Sequence, residues 1–291
     1  MEQRNFGDTG LAVSVVGLGA GHIGQLADSS EADELLGYAL DSGVTFIDTA
    51  RGYGDSELII GRSIARRRDE FVLSTKVGYS VPGVEDWTYD AVAQGVDRAL
   101  AMLQTDYLDV VFLHSCPLET LLRGEVIEAL HAARDAGKVR VAGYSGENEE
   151  LRWAVESGHF AGVQTSVNLA DQWSLRNVLA DAAARGIGVV AKRPLANVAW
   201  TFAERPVGAY AETYWERLQT LALAPADLDW QGTALRFAAF APGVSTAIVG
   251  TKSQVNLGAA IAAAGKGPLP ADEFQRWLDA AAAHADWTGQ V

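Results

Sequence analysis

The stretch "VTFIDTARGYGDSELIIGRSIARRR" (residues 44–68) holds one complete unit of the chain. Residues 44–48 form a short apolar run that closes on a carboxylate, Asp48. Residues 49–55 carry two glycines and Tyr53, and residues 56–68 place apolar side chains at helical spacing. An apolar run too short for a helix, without polar alternation, reads as a strand buried on both faces, as in parallel sheets covered by helices. Packing alone would favour an apolar residue at its end, so Asp48 with Tyr53 five positions on raises a question of chemistry.

The same unit recurs on both sides of this stretch. Apolar runs lie at 13–19, 44–48, 71–76, 108–114, 139–145, 162–168, 187–192 and 244–250. Helix patterns separate them, from "SSEADELLGYALDSG" with its Ser start and Gly stop to "SQVNLGAAIAAAG" after the last run. Eight strands, each followed by a helix, predict an α/β chain folded as a closed (β/α)8 TIM barrel, one domain over residues 1–291. An open doubly wound sheet is the competing reading. "GLGAGHIG" supplies glycines after the first run, but the second run ends in Asp48 and the tyrosine loop, with no ribose-binding acid in the dinucleotide manner. Ahead of the first unit, "QRNF", "GDTG" and "LAVSV" read as an N-terminal β-hairpin. Two segments exceed the repeat: residues 197–229 after the seventh run, with a helix in "ETYWERLQTLAL", and a C-terminal amphipathic helix in "PADEFQRWLDAAAAHADW".

Composition narrows the function. A net charge of −14 argues against nucleic acid or an anionic membrane surface as partner, since both require a basic face. The single Cys116 rules out a disulfide framework within the chain and suits a reducing cytoplasm. The polar start lacks the apolar core of a signal peptide, no apolar run is long enough to span a bilayer, and no His, Cys or carboxylate spacing suggests a metal site. The expectation is a cytoplasmic protein acting on a small molecule.

In a (β/α)8 barrel the chemistry collects at the C-terminal ends of the strands. The second run ends in Asp48 with Tyr53 in its loop, the third in Lys76 and the fourth in His114. A phenol with pKa near 10 is a weak acid at neutral pH unless its anion is favoured. A lysine ammonium beside it favours that anion, and a carboxylate holds the lysine charged. A histidine nearby can orient a carbonyl oxygen. Together these groups would protonate an oxygen as it becomes negative.

Here the chain resembles the aldo-keto reductases. "GDTGLAVSVVGLG", "DTARGYGDSE", "STKVG", "DYLDVVFLH", "GKVRVAGYS", "RPLA" and "GTKS" fall in that family's order along nearly the whole chain. The resemblance implies hydride transfer from NADPH, with NADH the weaker choice, to an aldehyde or ketone. It assigns Tyr53 as general acid, Asp48 and Lys76 as its tuning pair, and His114 as the group orienting the carbonyl. On the cofactor side it points to Gly19, Asp48, Ser145 and Gln164, then Lys192, Arg193, Pro194 and Leu195. Gly250, Thr251, Lys252, Ser253 and Asn256 would meet the adenosine phosphate. The chain departs from the family pattern in having Gly146 for the usual Asn, "KRPL" for the usual "YSPL", and alanines at 259 and 260 where adenine contacts are expected. His22 and Trp87, with Tyr53 and His114, are the expected substrate contacts, and Trp173, Trp200, Trp215 and Trp230 in the loops suggest an aromatic-lined pocket. Two other functions compete: a regulatory or sensory module that holds a nicotinamide cofactor with little turnover, and a Schiff-base enzyme using Lys76.

Overall fold

The computed structural model describes residues 1–26 and 29–290. Strands β1 (Gln3–Asn5) and β2 (Ala12–Ser14) form the expected antiparallel hairpin. The eight strands that follow are β3 (Val16–Gly19), β4 (Phe46–Asp48), β5 (Val72–Val77), β6 (Leu108–His114), β7 (Val139–Ser145), β8 (Gly162–Ser166), β9 (Gly188–Lys192) and β10 (Thr246–Gly250). They pair in parallel and close into a barrel, β10 returning to β3. The run at 13–19 is therefore two strands. Val15 separates them, and Ser14 at the end of β2 donates from its hydroxyl to the Val16 carbonyl and from its amide to the Thr45 hydroxyl.

The register sets the height of each strand end. Gly250 pairs with Gly19, Gly19 with Asp48, and Asp48 with Ser74. His114 pairs with Ser145, and Ser145 with Gln164. Because side chains alternate along a strand, one set of every second residue points into the barrel. Its lower layers are apolar, with Phe46, Val72, Val110, Phe112, Val141, Val190 and Ile248 in one cluster. The hairpin plugs the bottom with Phe6, whose ring lies where a Cβ on Gly188 would come within 2.5 Å of it. Gly143 likewise leaves room for the Phe112 ring. The upper layer is polar, and it forms the mouth.

Helices cover the outside of the barrel, and their apolar faces pack on the outward strand residues in one continuous core. Two helix patterns divide in the structure. "LETLLRGEVIEALHAARDAG" breaks at Gly124, whose φ of 85° ends Leu118–Arg123 before Glu125–Asp135 begins. "LRNVLADAAARG" breaks at Val178, between Trp173–Asn177 and Leu179–Ala184. The long connection carries the expected helix, Glu212–Leu221, and the chain ends with the helix Ala271–Ala282. These elements share a second core cluster with Tyr214, Phe237 and Trp277. Trp200, Trp215 and Trp230 pack against that cluster, Trp200 stacking on Trp230 at 5.5 Å, and Trp173 is buried in the main core. These four rings pin loops to the barrel, so they do not bear out the aromatic-lined pocket. Among the described residues no helix is long and apolar enough to cross a membrane.

Candidate active site at the barrel mouth

The polar layer is organised around Asp48. Its Oδ2 accepts a hydrogen bond from Lys76 Nζ at 2.6 Å, and its Oδ1 accepts from the Ser74 hydroxyl at 2.6 Å and from Gln164 Nε2 at 2.9 Å. Lys76 Nζ also donates to the Thr49 carbonyl at 2.8 Å and lies 4.8 Å from the centre of the Tyr53 ring. Both members of the pair are buried. Burial works against the Lys76 charge, but Asp48 and then the Tyr53 phenol outweigh it, and the lysine pKa is raised. A lysine so held stays an ammonium at neutral pH, and it presents that charge to the phenol.

Tyr53 is clamped from the first loop. A Cβ on Gly24 would fall 2.1 Å from the Tyr53 carbonyl, so this glycine permits a close approach of the two backbones, and Gly21 lies against the Tyr53 ring. His114 meets Tyr53 edge-on, with ring centres 5.9 Å apart. Burial, then the positive charges of Lys76 and Lys192, drive the His114 pKa down to about 2. The imidazole is therefore neutral, a hydrogen-bonding group with no charge of its own. On its other side its Nδ1 lies 2.7 Å from the hydroxyl of Tyr79. Trp87 stands behind Tyr79, ring centres 5.6 Å apart. Sequence reasoning missed Tyr79, which lies beyond the end of β5, 35 positions from its partner.

The neighbouring strands bring up the remaining groups. The Ser145 hydroxyl donates to Gln164 Oε1 at 3.0 Å, so Ser145, Gln164 and Asp48 form one hydrogen-bonded chain across the mouth. Lys192 pairs with Glu147 at 3.2 Å. Glu147 is buried and also accepts from the hydroxyls of Thr165 and Ser166 and from the Ser166 amide. Burial lowers the Lys192 pKa, with Glu147 opposing. Glu147 leaves no local signal in the sequence, because its partner Lys192 ends β9, two strands further along the chain. Arg193 takes a left-handed φ of 55°, turns its guanidinium over the Tyr210 ring at 4.7 Å, and donates to the Ser166 hydroxyl and the Gln290 carbonyl. Pro194 is buried behind it, and Leu195 packs between the two core clusters.

The C-terminal segment occupies this side of the mouth. The Asn148 side chain bonds both backbone groups of Gly289, the Gln290 amide donates to Asp171 Oδ2 at 2.9 Å, and Arg217 donates to the Thr288 carbonyl. Across the mouth, Gly19 and Gly250 lie side by side beneath His22. Beyond them Thr251 and Ser253 cap the helix Gln254–Gly265, Ser253 accepting from the Asn256 amide, and Lys252 is exposed at its start. Cys116 is buried below the loop after β6, its thiol pushed up to about 12 by burial, which makes it inert. Among the described residues no cluster of three or more His, Cys, Asp or Glu side chains is placed to hold a metal ion.

Against known proteins, residues 15–282 match the model of the aldo/keto reductase family. An uncharacterized oxidoreductase of Bacillus subtilis, YqkF, is 26% identical over 94% of this chain and 95% of its own. A second from the same organism, YrpG, is 31% identical over 67% of each chain. Aldo-keto reductase AKR11C1 of Bacillus halodurans, solved in its holo form, superposes with a TM-score of 0.85 over 96% of each chain at 24% identity, a likeness of fold.

Proposed function

The chain belongs to the aldo/keto reductase family, whose members use nicotinamide cofactors, and we propose that it reduces an aldehyde or ketone with NADPH in preference to NADH. The observation that carries this reading is the placement of Tyr53 against Lys76, which Asp48 holds charged. A carbonyl oxygen gaining electrons needs a proton, and a phenol gives one up more readily when an ammonium stabilises the phenolate left behind. Neutral His114, facing the same space, orients that oxygen by a hydrogen bond. The substrate enters between His22 and Trp87, with Tyr53 and His114 at the floor.

When bound, the nicotinamide supplies the hydride that the carbonyl carbon accepts. The residues present fit such a group at both ends. Ser145 and Gln164 are bonded to one another, yet each keeps unused hydrogen-bonding capacity, as recognition of a carboxamide requires. Gly19, Lys192, Arg193, Pro194 and Leu195 border the space between. At the far end the start of Gln254–Gly265 lies beside Gly250, Thr251, Ser253 and Asn256. The Ser253 and Asn256 N–H groups are taken by Thr251 Oγ1 and Ser253 Oγ, which leaves the first-turn amides of Gln254 and Val255 and the helix dipole to an anion. Lys252, exposed there, supports a 2′-phosphate and hence NADPH.

The paired Lys76 charge disfavours a Schiff-base role, which needs a neutral amine. The intact Lys76–Asp48 pair beside a phenol weighs against the regulatory module, and turnover separates the two readings. Titration with NADPH and NADH, followed by tryptophan fluorescence, is expected to show tighter NADPH binding. Tyr53→Phe is expected to abolish carbonyl-dependent NADPH oxidation while binding the cofactor normally. Near-normal turnover in that variant would overturn the mechanism.

A further inference from the structure

The second tyrosine of the mouth, Tyr79, is held as firmly as the first. Its ring stacks on His114 with centres 5.3 Å apart and planes 25° from parallel, and its hydroxyl lies 2.7 Å from His114 Nδ1. The Trp87 ring meets Tyr79 edge-on, centres 5.6 Å apart. The loop that carries it is tied down on both flanks. Gly78 has a φ of 128°, and the Trp87 ring fills the space its side chain would take. The Trp87 amide donates back to the Gly78 carbonyl at 2.7 Å. Ser80, at a left-handed φ of 61°, bonds through its amide to Asp86 and accepts from Arg51 at its carbonyl. Gly52 leaves room for the Tyr79 hydroxyl, which would be 3.3 Å from a Cβ there. Two tethered loops and the end of β6 thus fix one oxygen beside one ring nitrogen.

A neutral imidazole exists as two tautomers, and the partner of one nitrogen decides which is present. A phenol is a better acid than a neutral imidazole N–H, so the stronger arrangement has Tyr79 donating and Nδ1 accepting. That leaves the proton on Nε2. We propose that Tyr79 is a positioning residue: by donating to Nδ1 it locks His114 in the Nε2–H tautomer, so that the ring offers an N–H to the oxygen that Tyr53 protonates. The wrong tautomer would turn a lone pair toward an oxygen gaining negative charge and repel it. The catalytic part of this inference rests on the carbonyl-reductase reading; the tautomer itself does not.

The test is NMR of 15N-histidine-labelled protein without cofactor or substrate, with His114→Gln to assign the signal and Tyr79→Phe to remove the hydroxyl alone. Wild-type His114 is expected to show a protonated Nε2 and an unprotonated Nδ1. Tyr79→Phe is expected to give the averaged shifts of two exchanging tautomers. In turnover assays the same variant is expected to lose about tenfold in kcat, with cofactor affinity unchanged. A wild-type His114 protonated on Nδ1 overturns the proposal without any variant. So does a Tyr79→Phe protein that keeps the single Nε2–H tautomer. If the tautomer behaves as expected but no carbonyl is reduced by wild type, the reductase reading fails and the Tyr79 lock stands.

Discussion

Gln164 Nε2 donates to Asp48 Oδ1 at 2.9 Å, and so joins the carboxylate that governs Lys76 to Ser145 on the next strand. The residue expected to grip the nicotinamide amide thereby also braces the Asp48–Lys76 pair.

Two substitutions at this position separate the roles. Gln164→Leu leaves the Ser145 hydroxyl without its acceptor and removes one of three donors to Asp48, at a cost of roughly 1–3 kcal/mol that does not vary with pH. Gln164→Glu keeps an acceptor for Ser145 but sets a second carboxylate against Asp48. Like charges this close raise one carboxyl pKa above its unfolded value. The folded state then binds more protons than the unfolded, so stability is lost as pH rises. Urea unfolding at pH 5 and pH 8 is expected to show a pH-dependent deficit for Gln164→Glu and a constant one for Gln164→Leu.

The Lys76–Asp48 pair predicts a rescue of stability without a rescue of function. Lys76→Met strands a buried carboxylate and is expected to cost about 3–5 kcal/mol. Adding Asp48→Asn removes the stranded charge and is expected to restore most of that loss in denaturant unfolding. Neither protein is expected to reduce a carbonyl, since Tyr53 faces no ammonium in either. Because the folded Lys76 pKa is raised, the contribution of the lysine charge is not lost at the ordinary lysine pKa of 10.5 but as pH climbs through the folded value above it.

The barrel and the four mouth residues were legible because each strand is a continuous apolar run and Asp48, Lys76 and His114 each interrupt one near its end. Period-2 alternation and a parallel register then bring them to one level. Tyr79, Glu147 and the Gly289–Gln290 contacts were not legible, for a shared reason. Each depends on a partner far along the chain, and none leaves a local pattern. The tail is bonded mainly through its backbone, which any residue supplies equally. The loop tryptophans misled in another way: a ring that lines a pocket and a ring that pins a loop have the same sequence context. Only the stacking of Trp200 on Trp230 over Trp277 distinguishes them.

Asn148 holds Gly289 by two hydrogen bonds, so Asn148→Ala should release the tail locally. Each net bond contributes about 1 kcal/mol, and their loss is expected to raise hydrogen exchange at the amides of Gly289 and Gln290 by tenfold or more. Amides of β7 and β8, held by the barrel, should exchange as in wild type. Unchanged protection at Gly289 would mean that Asp171, Arg193 and Arg217 hold the tail without Asn148.

Asp171 carries the last prediction. It is buried, its Oδ2 accepts from the Gln290 amide and the Tyr214 hydroxyl, and its Oδ1 has no hydrogen-bond partner among the described residues. Burial, and then the Glu147 charge, raise its pKa to about 6. A raised carboxyl pKa means that the folded protein binds the extra proton between the unfolded value of 3.8 and about 6. This contribution to stability is therefore present in acid and is lost as pH rises through that window. Asp171→Asn keeps an oxygen for Gln290 and Tyr214 and places a neutral amide where the partnerless, charged oxygen lay. It is expected to stabilise the protein at pH 8 by roughly 1–3 kcal/mol and to leave it little changed at pH 4. Thermal or urea unfolding of both proteins across that range checks the sign. A variant less stable than wild type at pH 8 would show that the carboxylate draws more from Gln290 and Arg217 than its burial costs.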